Sequence, residues 1–136
     1  MIFFLAVIFD EASHKVHLIT DRYGMRYLYW RVSDGVLFWS SELKGFVPNM
    51  GYTPSINQQA VRQFIEIGYV LEDNTWFEDI ELLSSASGLS FDVRSRDVNK
   101  HRYWWWDRIE LHSREINERE IAEEMGDLIV DAVRRR

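Results

Sequence analysis

Residues 21–30 read DRYGMRYLYW. The stretch joins one acid, Asp21, to the arginines Arg22 and Arg26. A single glycine, Gly24, and the aromatic residues Tyr23, Tyr27, Tyr29 and Trp30 complete it. Such residues suit a catalytic signature, a platform on which bases stack, or a turn leading into a strand. The flanking sequence favours the turn. Gly24 takes a positive φ at little steric cost and is the natural pivot. Before it, Lys15–Thr20 alternates, with Val16, Leu18 and Thr20 set against Lys15, His17 and Ile19, as in a strand with one buried face. After it, Met25–Arg31 alternates again. Ser33-Asp34-Gly35 then turns the chain and Val36–Ser40 returns as a strand. Asp-Gly between two apolar runs is a hairpin signal.

Outward from this stretch the pattern continues. Ile2–Phe9 is an unbroken apolar run and reads as a strand buried on both faces, joined to Lys15–Thr20 by a turn at Glu11–His14. The run is too short to span a bilayer. It lacks the basic segment and cleavage site of a signal peptide, so a cytoplasmic location is expected. Ser41-Glu42-Leu43-Lys44 begins a short helical turn with Ser41 as its cap. A loop from Pro48 to Pro54 precedes a helix over Ser55–Ile67. Ile56, Ala60, Val61, Phe64 and Ile65 share a face of that helix, and Gly68 suits its end. Phe91 and Val93 alternate with polar neighbours, Arg94–Asn99 turns, and His101–Trp106 is expected as a further strand.

From Ser113 the composition changes. Ile116, Ile121, Met125, Leu128, Ile129 and Val133 recur at helical spacing. Acids lie early, and Arg134, Arg135 and Arg136 lie late, which complements the helix dipole. The expected organisation is a domain over 1–107, a linker over 108–112 and a helix over 113–136 capped by Ser113.

Composition narrows the chemistry. The chain has 136 residues, enough for one domain, with a formal net charge of −6. That balance argues against a duplex-binding protein, which needs clustered cations. There is no cysteine, so disulfides, thiolate nucleophiles and Cys–metal sites are excluded.

Several blocks occur in a known order. Asp21-Arg22-Tyr23-Gly24 followed by Leu28-Tyr29 resembles the string D-R-F-G-x-K-P-L-Y. Ser41-Glu42-Leu43-Lys44 resembles S-E-I-K. Gly68-Tyr69-Val70, then Thr75 with Phe77, Ile80 with Leu83, and finally Tyr103-Trp104 complete the series. Together they resemble the second half of the class II glutaminase domain of glutamine-hydrolysing asparagine synthase, over roughly Ile2 to Asp107. The terminal helix is similar to the first helix of that family's synthetase domain. The family's K-P is Arg26-Tyr27 here. Its P-G before the last hairpin is Ser85-Ala86, which removes a rigid bend. Beta-lactam synthetase-like proteins are a related branch with a similar pattern.

The resemblance implies an α+β fold of antiparallel sheets with flanking helices, part of an N-terminal-nucleophile hydrolase sandwich. It also implies a chain without either family active site. In the family an N-terminal cysteine attacks the glutamine amide, and an S-G-G-L-D-S loop grips ATP. Neither motif is present, so no catalytic, cofactor-binding or metal residue carries over. ATP and Mg²⁺ belong to the parent family. The implied function is that of a non-catalytic fragment or homologue of an enzyme amidating aspartate with glutamine-derived ammonia. The competing reading is a stand-alone assembly or regulatory module. The implied partners are a second copy or the remaining parts of the parent enzyme, with no nucleic acid and no membrane.

Individual residues carry plainer alternatives. Asp21 and Arg22 read as a pair bracing a turn rather than a catalytic pair. Glu42 and Lys44 sit two apart, which would point them away from one another in a helix. His14, His17, His101 and His112 lack ligand spacing. Alternation would place Trp104 and Trp106 on one strand face and Tyr103 and Trp105 on the other, suiting an interface more than stacked bases. Arg134–Arg136 reads as a solvated cluster rather than a phosphate site.

Overall fold

The computed structural model describes residues 3–47, 53–109 and 117–135. They fall into two compact units, Met1–Trp106 and Asp107–Arg136. The first unit contains β1 (Leu5–Asp10), β2 (Lys15–Thr20), β3 (Tyr29–Ser33), β4 (Val36–Ser40), α1 (Gln58–Ile67), β5 (Glu81–Leu82), β6 (Ser87–Asp92) and β7 (Val98–Arg102). The second contains α2 (Glu118–Arg134). The described strands form a four-stranded sheet in the order β1-β2-β6-β7 and a three-stranded sheet in the order β4-β3-β5. All pairings are antiparallel. With two helices this is the expected α+β fold.

The core lies where the sheets contribute apolar side chains to one cluster. Leu18, Leu89 and Phe91 come from the four-stranded sheet, Trp30 and Leu37 from the three-stranded sheet, and Leu28 and Leu83 from its margins. Burying side chains of this size stabilises the fold by ~1.5–3 kcal/mol each. The alternation of β2 is realised, with Leu18 and Thr20 buried.

The turn at residues 21–30 is built around Asp21, which is buried. Its carboxylate accepts the backbone N–H of Tyr23 at 2.9 Å and of Met25 at 3.2 Å. Its carbonyl accepts from Gly24 and from Ala86, and its N–H donates to the Phe4 carbonyl. Gly24 has φ +62°, as the sequence requires. Because Asp21 holds the chain as far as Met25, strand pairing begins only at Tyr29, later than the expected Met25–Arg31. Asp34 and Gly35 both have positive φ, the geometry of a type I′ hairpin.

Other expected boundaries shift for local reasons. The strand expected over Ile2–Phe9 is described from Leu5 to Asp10 and is not buried on both faces. It is the edge of its sheet, and Val7, Ile8 and Phe9 are 41%, 48% and 55% exposed. Ser41 does not cap the next turn. That turn is a 3₁₀ segment over Leu43–Phe46, and the Glu42 N–H is taken by Ser40 Oγ at 3.1 Å. Helix α1 starts at Gln58 rather than Ser55. Asn57 caps it by accepting from the N–H groups of Gln59 and Ala60, while Ile56 bridges to Phe77. Gly68, at φ +81°, ends α1 as predicted. The last strand is Val98–Arg102, not His101–Trp106, and Val98 and Asn99 belong to it rather than to the preceding turn. Pro48, His112, Ser113, Ile116 and Arg136 lie outside the described residues. Within them α2 is capped by Asn117, which accepts the Arg119 N–H.

Two carboxylates brace the hairpins of the larger sheet. Asp10 accepts from Ala12 N–H and Ser13 Oγ, and Asp92 from the N–H groups of Arg94 and Ser95. The Ser13 hydrogen bonds hold the Asp10 carboxyl below its ordinary value, and those of Ser95 and Arg94 do the same for Asp92. A depressed folded pKa gives stability that is present above the unfolded value of 3.8 and lost as pH falls through the folded one. Urea midpoints should therefore fall on acidification below that value, and the double variant Asp10→Asn, Asp92→Asn should show a shallower fall. Equal pH dependence in both proteins would show that these bonds do not stabilise the turns.

The Gly24 pivot is testable as well. A Cβ there would meet Ser85 Cβ at 3.0 Å, and its φ strains any L side chain. Gly24→Val should lower stability by ~1–3 kcal/mol, measured by denaturant unfolding. An unchanged midpoint would show that the turn tolerates a side chain.

Candidate functional site

A concavity of about 650 Å³ lies in the first unit. The connection from α1 to β5 supplies Glu72, Asp73, Thr75 and Glu78, and the end of β7 supplies Arg102 with Trp105 beyond it. A smaller cavity of about 180 Å³ adjoins it, lined by Asp73, Ser84, Ser87, Lys100 and His101 among others. Glu72 has φ +59°. The Arg102 guanidinium lies 4.4 Å from the centre of the Trp105 ring.

Serine, histidine and aspartate thus meet in one place, but not in the order that activates a nucleophile. Ser84 Oγ donates to Asp73 Oδ1. Ser87 Oγ donates to the Ser85 carbonyl at 3.0 Å. His101 lies across the strand pair from Gly88, where a Cβ would be 2.5 Å from its ring. No hydrogen bond among the described residues joins His101 to either serine. The Ser84 hydroxyl faces the Asp73 carboxylate directly, with no histidine between them, and the Ser87 hydroxyl faces a carbonyl.

Lys100 completes this region. Its ammonium is 2.5 Å from Glu81 and 3.7 Å from Asp73, and it sits 5.3 Å from the centre of the Trp30 ring. Burial works against its charge, but Glu81 and Asp73 outweigh it, so the Lys100 pKa is raised. The group is therefore a fixed cation, tying β7 of one sheet to β5 of the other. It is not an amine base.

The residues singled out in the sequence have other duties. Asp21 and Arg22 do not pair. Asp21 serves the backbone, while Arg22 lies 4.5 Å from the centre of the Trp104 ring. Glu42 and Lys44 do meet, at 2.7 Å on the surface. Glu42 precedes the 3₁₀ turn with extended backbone angles, so the helical spacing argument does not apply to it. Hydrogen bonding and charge from Glu42 raise the Lys44 pKa. His17 Nδ1 is 2.9 Å from Ser90 Oγ across β2 and β6. His14 holds a positive φ in the first hairpin turn. No group of three or more His, Cys, Asp or Glu gathers around a metal position among the described residues.

The aromatic run leaves the sheet instead of alternating along it. Tyr103 N–H still bonds the Ala86 carbonyl, and Tyr103 Oη donates to the Thr20 carbonyl at 2.6 Å. Beyond it the chain folds so that Trp104 and Trp106 pack edge to face at 5.0 Å, each 6.4 Å from Tyr23. Trp104 and Trp106 come together through a bend, not as same-face neighbours on the expected strand.

Residues 2–104 match the family described as the glutamine amidotransferase domain. The chain belongs to that family. Among curated relatives it is 26% identical over 129 residues to the Methanocaldococcus jannaschii protein named "Putative asparagine synthetase (glutamine-hydrolyzing) 2", covering 93% of this chain and 24% of that protein. It is 26% identical over 132 residues to the "Amidase chry2" of Gibberella zeae, covering 96% of this chain and 19% of that protein. The chain therefore spans about a quarter or less of the length of these relatives. Ala86 holds φ +52°, a conformation that favours glycine. No described helix is long and apolar enough to cross a membrane.

Burial, and then the charge of Asp21, push the Tyr103 pKa up. Its hydroxyl thus stays a donor to Thr20 at neutral pH. Tyr103→Phe should cost ~0.5–1.5 kcal/mol in chemical denaturation. A midpoint equal to that of the parent protein would remove this bond from the account.

Proposed function

We propose that this chain is a non-catalytic member of its family, related to the amidotransferase part of glutamine-hydrolysing asparagine synthase. The parent reaction is ATP-dependent amidation of aspartate with glutamine-derived ammonia. In this reading the two sheets correspond to part of an N-terminal-nucleophile hydrolase sandwich, and the chain acts as scaffold. A cytoplasmic location, without nucleic acid or membrane as partner, belongs to the same proposal.

One observation carries the reading. Amide attack in the family uses a cysteine thiol, and the 136 residues contain none. The described cavities support it in one respect: among the described residues no hydrogen bond joins His101 to Ser84 or Ser87, whose hydroxyls donate to a carboxylate and a carbonyl. A second reading, an assembly or regulatory module, is favoured by the uncharged, exposed Val7–Phe9 edge of β1.

The purified chain incubated with glutamine should release no ammonia above a buffer control, with or without ATP, Mg²⁺ and aspartate. Ammonia release that survives repurification and disappears in a point variant of this chain would overturn the reading.

A further inference from the structure

We draw no further inference here: the strongest candidate, the cavity of about 650 Å³ on the connection from α1 to β5, belongs to the site already described, and its cluster of Glu72, Asp73, Glu78 and Glu81 has beside it no observation among the described residues that points to a ligand, since Lys100 already pairs with Asp73 and Glu81 and Ser55 donates to Glu78.

Discussion

The first unit depends on how Thr20 and Asp21 are tied to residues 84–87. Thr20 Oγ1 donates to the Ser84 carbonyl at 2.6 Å, and Asp21 accepts the Ala86 N–H at 2.9 Å. Thr20 and Asp21 are 0% and 1% exposed. A carboxylate buried this deeply is tolerated only when its acceptor capacity is filled. Asp21 fills it with backbone N–H groups, which fixes the path of the chain from β2 toward β3. The same contact fixes where β6 begins. The junction between the four-stranded and three-stranded sheets is thus set by the Asp21 carboxylate, the Asp21 backbone carbonyl and the Thr20 hydroxyl.

That constraint explains two oddities. Ala86 adopts a left-handed backbone although it is not glycine. Its N–H and C=O are both engaged, with Asp21 and Tyr103, so the surroundings over-determine the conformation and hold the strain. A side chain at Gly24 would be strained and would crowd Ser85, beside which the Asp21 turn sets it. Tyr103 closes the same junction from the other side through the Thr20 carbonyl. The stretch DRYGMRYLYW is therefore architectural, and its acid is occupied by structure.

Much of this was legible in the sequence where the signal is local. The β2 alternation, the Asp34-Gly35 hairpin and the Gly68 stop each rest on neighbouring residues, and each appears where expected. The misses come from longer range. Nothing within Ile2–Phe9 distinguishes an edge strand from a central one, since sheet order is a tertiary property. The His101–Trp106 alternation breaks because Trp104 and Trp106 find Tyr23 and Arg22, which lie far away in sequence. Helix α1 begins after the expected Ser55 because Ile56 bridges to Phe77, a contact from outside the helix. At the candidate site, the Ser84–Asp73 contact and the Lys100 bridge join loop and strand positions that no spacing rule connects.

The stabilising interactions and the family's chemistry are also separable here. The core cluster, the Asp21 junction, the Asp10 and Asp92 turns and the Lys100 bridge rest on apolar packing, backbone N–H groups, carboxylates and one ammonium. An active site stores groups in unfavourable environments so that they react. Among the described groups, Asp10 and Asp92 are depressed by hydrogen bonds that stabilise their ions, and Tyr103 is raised while its proton is already donated. Each shift deepens the resting state of its group. Lys100 follows the same rule, because its carboxylate partners hold on to the proton a base would have to release. A domain built this way draws its stability from groups held in their resting protonation states.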